Sequence, residues 1–213
     1  LRGVFIITIP AALGLMALRE PLIVLLFQQG QFDAQDTLAT AQALFYYSIG
    51  LFAYSALQLA NRIFYSLRDT VTPVLVGITS ITLNIALSIL WIKPMGHEGL
   101  ALAYSVAGIF NILLLIVIIR KRLGRIGGGV LARSFLVAVL GSLIMYLGAR
   151  YGATWVGSWL VFTPKVNALI MVLTGLGLGA GIYGIIISVF RLEETELVFD
   201  IIRKRLPGLR YRV

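Results

Sequence analysis

Six long apolar stretches, separated by short polar or basic ones, give the chain its pattern. Because a helix needs about 20 apolar residues to cross a bilayer, each stretch predicts a membrane-spanning helix. The predicted spans cover about residues 4–27, 37–67, 73–92, 100–119, 130–149 and 166–190, and residues 191–213 are predicted to form a basic tail. The first stretch contains Pro10 and is interrupted after Leu18, so we expect a kinked helix followed by a piece at the membrane interface.

The composition supports a membrane protein. Of the 213 residues, 59% are hydrophobic and 13% are charged, whereas soluble domains carry roughly 25% charged residues. The mean hydropathy is +0.95. These values predict an all-α integral membrane protein with six transmembrane helices.

The residue types that catalysis and metal binding need are scarce. The chain has no cysteine, which excludes thiolate metal sites, and its one histidine, His97, lies in a predicted turn over residues 93–99. A lone histidine cannot supply the three or four ligands of a zinc site. The sequence also has no nucleophile elbow and no phosphate-binding glycine loop. We therefore expect no metal, no cofactor and no enzymatic activity.

The net charge of +9 is best explained by membrane topology. Basic residues lie in the short loops and the tail, without the interleaved aromatic residues of a nucleic-acid surface, so we expect no nucleic-acid partner. Six spans place both termini on one side of the membrane. Most of the 18 basic residues fall on that side, and the exceptions are Arg19, Lys93, Arg150 and Lys165. The positive-inside rule then predicts that both termini face the cytoplasm.

The most informative stretch is the connector from Asn61 to Pro73, which reads NRIFYSLRDTVTP. If the preceding helix continues through it, Arg62 and Asp69 lie two turns apart on one face and are placed to pair. Thr72 is predicted to cap the next helix, with Pro73 at its first position. An arginine-rich capped turn between two spans is also what an ordinary cytoplasmic loop contains.

Two ordered motifs resemble the MurJ/MviN family of lipid II flippases, within the multidrug/oligosaccharidyl-lipid/polysaccharide exporter superfamily. The first motif is carried by Arg62, Phe64, Tyr65, Ser66, Asp69, Thr70, Thr72 and Pro73. The second consists of Leu26, Phe27, Gly30 and Phe32, followed by Ala43, Leu44, Tyr47, Ser48, Gly50 and Leu51. The resemblance runs along essentially the whole chain and implies the last six of the family's fourteen helices. The first residue, Leu1, is not methionine, which fits a fragment.

The resemblance implies a function in the bacterial inner membrane. Members translocate lipid II, the undecaprenyl-linked peptidoglycan precursor, from the inner to the outer leaflet by alternating access, and the last two helices help to form a groove for the lipid tail. The implied partners are lipid II, membrane lipids and cell-wall synthesis proteins. The implied candidates for substrate contact or gating are Arg62, Arg68, Asp69 and Thr70.

A cation site is a further candidate. Asn84 and Ser88 lie four residues apart on one face of the third span. Some flippases of the resembled family are thought to bind a cation near Asn-x-x-x-Asp on this helix, and here Ser88 replaces the aspartate and removes its charge. The alternative is that both side chains contact a neighbouring helix, as polar residues in membranes commonly do. The coupling cation is not identified by the sequence.

Two other functions are compatible with the pattern. The chain could belong to another polysaccharide-lipid flippase or to a cation-coupled drug exporter of the same superfamily. It could also be a membrane scaffold that binds cell-wall enzymes without transport, because glycine-rich helix faces suit protein contacts as well as movement.

Overall fold

The computed structural model describes residues 2–124, 128–159 and 162–190, which form seven helices joined by turns. The helices are α1 (Arg2–Ala17), α2 (Arg19–Phe27), α3 (Ala34–Ser66), α4 (Val71–Met95), α5 (His97–Leu123), α6 (Gly128–Trp159) and α7 (Pro164–Phe190). Five of them are long and apolar enough to cross a membrane, and the α1–α2 pair makes a sixth if it counts as one bent span. The all-α membrane class is therefore confirmed, while the predicted tail, residues 191–213, lies outside the described residues.

The first span is broken at Leu18. Helix α1 ends one residue earlier, and α2 starts at Arg19 with a bend of 73°. Leu18 itself is only 1% exposed, so the bend is packed inside the fold. Pro10 stays within α1, and the chain turns at Leu18 instead, directly before the polar Arg19–Glu20 pair.

Two turns are shorter than the sequence suggested. The predicted turn over residues 93–99 reduces to Gly96, whose positive φ of 59° lets α5 begin directly after α4. The expected outer loop over residues 150–165 is wrong in its first part, because α6 continues to Trp159. A Cβ on Gly157 would come within 2.8 Å of the Met171 sulfur, so α6 packs closely on α7 to its end. That packing explains why the helix does not stop at residue 149.

The helices pack as two groups that α1 and α2 join. One group is the α6–α7 pair, and the other is α3 with α5, to which α4 adds almost entirely through α5. Helix α1 contacts both α3 and α6. The buried core runs along these contacts and includes Phe5, Ala53, Phe64, Leu115 and Ala138. The fold leaves seams between the helices, among them one between α4 and α5 and one beside α1, α6 and α7.

Candidate functional site

The connector includes the end of helix α3, where one residue adopts a left-handed backbone conformation. The Asp69 amide donates to the Phe64 carbonyl and the Arg68 amide donates to the Tyr65 carbonyl, both at 3.0 Å. These two hydrogen bonds form a Schellman motif. In this motif one residue has a positive φ, and here that residue is Arg68, with a φ of 56°. Helix α3 therefore ends at Ser66, one residue before the predicted end, and the continuation that a shared face of Arg62 and Asp69 would require is absent. Arg62 and Asp69 consequently do not share a helical face.

Asp69 caps the next helix. Its Oδ1 accepts from the Thr72 amide at 2.9 Å, and its Oδ2 accepts from the Thr72 hydroxyl at 2.6 Å. The prediction of a Thr72 cap is wrong, because the threonine hydroxyl donates to the carboxylate instead of accepting from an amide. Helix α4 begins at Val71, so Pro73 is its third residue rather than its first.

Arg122, at the end of α5, completes this network. Its Nη1 donates to Asp69 Oδ2, and its Nη2 donates to the Thr72 hydroxyl at 3.0 Å. The guanidinium also lies 5.8 Å from the centre of the Phe64 ring, which is fully buried. We call Asp69, Thr72 and Arg122 the connector latch. It joins the end of α3, the start of α4 and the end of α5.

The pKa of the Asp69 carboxyl is lower than that of an ordinary aspartate. The two hydrogen bonds from Thr72, with the smaller contribution of Arg122, lower the pKa of Asp69 from 3.8 to about 2. Sequence reasoning counted Arg122 among the basic loop residues and missed its role, since the sequence does not show that the end of α5 returns to the connector. The only sequence signal for this network was Asp69 of the first motif, which the sequence analysis paired with Arg62.

The other connector candidates lie apart from the latch. Arg62, Arg68 and Thr70 are exposed. Among the described residues the ion pairs are Arg122–Asp69 and Arg19–Glu20, so neither Arg62 nor Arg68 is held by a carboxylate there. The connector thus carries two exposed arginines, while Arg122 of α5 is paired with its aspartate.

Asn84 lies in the seam between α4 and α5, and Ser88 lies one turn further along α4. The Ser88 hydroxyl donates to Asn84 Oδ1 at 3.2 Å. Asn84 also lines a cavity of about 340 Å³ with Tyr54, Ser80, Tyr104 and Asn111. Only neutral side chains line this cavity, and the described residues contain no cluster of three or more metal-binding His, Cys, Asp or Glu side chains.

A second, apolar groove of about 560 Å³ follows the other seam, between α1, α6 and α7. Its lining includes Leu18, Leu22, Met145, Gly175, Gly179 and Tyr183. The Tyr183 hydroxyl donates to the Ile6 carbonyl at 2.7 Å, so the polar group of that residue is already satisfied. The groove is chemically suited to a hydrocarbon chain.

Comparisons with known proteins support the resemblance to the flippase family. The sequence profile of the family described as lipid II flippase MurJ matches residues 1–169. A probable lipid II flippase MurJ of Bdellovibrio bacteriovorus is 31% identical over 169 residues, which cover 79% of this chain and 29% of that protein. The corresponding protein of Thermotoga maritima is 30% identical over 190 residues, covering 89% of this chain and 36% of that protein.

The fold is similar to that of a solved structure. A lipid II flippase MurJ in an inward closed conformation superposes with a TM-score of 0.70 and 28% sequence identity, covering 87% of this chain and 36% of that one. The chain therefore spans about a third of the length of these relatives. Because the family profile matches residues 1–169, which is most of the chain, the chain belongs to the MurJ family of lipid II flippases.

Proposed function

We propose that the full-length protein translocates lipid II from the inner to the outer leaflet by alternating access. As a family member with these apolar helices, the chain is a multi-pass protein of the inner membrane. The observation that carries the proposal is the apolar groove between α1, α6 and α7. A flippase for a polyprenyl-linked substrate needs such a groove, because the tail must stay in an apolar environment while the head group crosses.

The groove has the size and chemistry for part of a lipid tail. Its volume of about 560 Å³ lies within the roughly 300–1,000 Å³ range of small-molecule sites. The α7 side of the groove carries small residues, namely Gly175, Gly179 and Ala180. A larger residue on the α7 side would therefore occupy space that the tail needs.

The exposed arginines of the connector are the proposed contacts for the diphosphate. Hydrocarbon cannot solvate a charged diphosphate, so the path must supply cationic groups. Arg62 and Arg68 are exposed at the same end of the fold as the latch, with Thr70 beside them. Asp69 has a different role in this proposal, because its carboxylate is engaged by Thr72 and Arg122.

The orientation follows from charge. The exposed basic residues near the connector include Arg62, Arg68, Arg120 and Lys121. Under the positive-inside rule this end faces the cytoplasm, where lipid II is made available to the flippase. The proposed partners are lipid II, membrane lipids and proteins of cell-wall synthesis.

The decisive experiment measures lipid II at the outer leaflet of cells depleted of their own flippase and supplied with the full-length protein. Exposure should return with the wild type. It should fall with Arg62→Ala, whereas Lys121→Ala, which removes another exposed charge at that end, should transport normally. Normal transport by well-expressed Arg62→Ala would make Arg62 a topology anchor only.

The groove is tested in the same cells. Ala180→Trp places a large ring at the lining of the groove, and Leu173→Trp places the same ring on an exposed face of α7 outside the lining. We expect loss of lipid II exposure with the first variant alone. Equal activity of the two variants would argue against the groove as the tail path.

Failure of the wild type to restore exposure, with the protein shown to be in the membrane, would redirect the proposal. Transport of another polyprenyl-linked sugar, or export of a drug with a cation, would then be assayed in turn. A protein that assembles with cell-wall enzymes but transports none of these would act as a scaffold.

A further inference from the structure

The cavity between α4 and α5 contains a buried polar atom that the chain does not satisfy. Asn111 Oδ1 is buried, and no donor from the described residues reaches it. Asn84 and Asn111 lie near the middle of α4 and α5, at the depth where hydrocarbon surrounds a spanning helix. A carbonyl without a partner is costly at that depth, because no bulk water is present to solvate it.

Two hydroxyl groups that line the cavity already have partners. The Ser80 hydroxyl donates to the Ala107 carbonyl at 2.7 Å, and the Tyr54 hydroxyl donates to the Tyr104 carbonyl at 3.0 Å. Neither hydroxyl proton is therefore available to Asn111. Turning the Asn111 amide over would place an NH₂ group at the same point, and that group would also need a partner. A ligand that both donates and accepts hydrogen bonds satisfies either orientation.

The lining does not favour a cation. A metal ion in the membrane interior requires compensation of its lost hydration, which carboxylates or a dense shell of oxygens normally supply. Here the lining has no carboxylate, and Ser88 directs its proton to Asn84 Oδ1. The Asn84 oxygen is thus already used as an acceptor by a neighbour on its own helix.

We propose that this cavity is a neutral hydration site, in which ordered water donates to Asn111 and bridges towards Asn84. Asn84 and Asn111 supply the amide groups that a water would bridge, and the cavity volume of about 340 Å³ exceeds the roughly 30 Å³ that one water occupies in the liquid. Water completes the hydrogen bonding between α4 and α5. The two asparagines are then linked through water and not by a direct side-chain hydrogen bond. The site is independent of the proposed transport of lipid II.

Radiolytic hydroxyl labelling of the full-length wild-type protein in lipid nanodiscs, read by mass spectrometry, tests the proposal. Hydroxyl radicals formed from bound water modify the adjacent side chains. We expect Tyr54, at the cavity, to be labelled several-fold faster than Tyr183, whose ring lines the apolar groove. Equal slow labelling of both would overturn the proposal and would indicate that another part of the protein or a lipid fills the cavity.

A variant and a titration separate water from a cation. Asn111→Leu removes the polar atom, so it should slow the labelling of Tyr54 and leave that of Tyr183 unchanged. Sodium should shift the Tm of the wild type and of Asn84→Ala equally or not at all. A sodium-dependent shift that Asn84→Ala abolishes would replace the neutral site by a cation site. The comparison of the two tyrosines in the wild type stands even if Asn111→Leu does not fold.

Discussion

The crossing of α3 and α5 permits a quantitative prediction, because it depends on the absence of a side chain at Gly50. A Cβ built at this position would lie 2.8 Å from both Cα and Oγ of Ser105. Ser105 is fully buried, and its Oγ donates to the Tyr46 carbonyl at 2.6 Å and accepts from the Gly50 amide at 3.1 Å. Gly50→Ala therefore places a methyl group against backbone that cannot rotate away.

The cost follows from these distances. Carbon atoms pack at about 3.5 Å, so the two helices must separate locally by about 0.7 Å. The same separation would stretch the Gly50 amide–Ser105 bond to about 3.8 Å, beyond hydrogen-bond range. Overpacking costs about 1–3 kcal/mol and a lost interhelical hydrogen bond about 0.6 kcal/mol. We expect Gly50→Ala to destabilise the protein by about 2–3 kcal/mol and to lower its Tm by several degrees.

The assay is thermal unfolding of the detergent-solubilised full-length protein. Gly181→Ala is the matched control, because a Cβ there meets nothing within 4 Å, and its Tm should stay the same or rise slightly. Adding Ser105→Gly to Gly50→Ala should restore only part of the loss, since the Ser105 Cα remains. Full restoration by Ser105→Gly, or a Gly50→Ala protein as stable as the wild type, would refute the close crossing.

Three further predictions concern helix ends. Arg68→Gly should stabilise the protein by up to about 1 kcal/mol, measured as Tm, because glycine adopts the positive φ of 56° without strain; a lower Tm would contradict the Schellman geometry. Asp69 is lowered in pKa, so its contribution to stability is present above pH 3.8 and is lost as the pH falls towards about 2. The Tm difference between wild type and Asp69→Asn should therefore shrink as the pH falls across that window. A constant difference would show that the ionised carboxylate does not contribute to stability. Asp33→Ala should cost about 1 kcal/mol by removing the cap of α3, whereas Asp33→Asn, which keeps an acceptor, should cost less.

The sequence was a good guide to the connector as a motif and a poor guide to its geometry. It placed a capping residue at the start of the next helix but chose Thr72, whereas the acceptor there is Asp69, to which Thr72 donates. It also assigned the carboxylate to Arg62, which is near in sequence, rather than to Arg122, which is distant. Local spacing ranks nearby partners first, and it contains no information about which helix end returns to the same place.

The membrane class and the approximate position of each helix were determined by the sequence alone, because long apolar runs can satisfy their backbone groups in hydrocarbon only as helices. The apolar run itself also indicated the break at Leu18, where charged residues interrupt it. The tertiary structure alone decided what the helices bring together: the connector latch, the groove beside α1, and the cavity that joins Asn84 to Asn111. These sites depend on contacts between residues far apart in the chain, and hydropathy has the same value whichever neighbour a helix packs against.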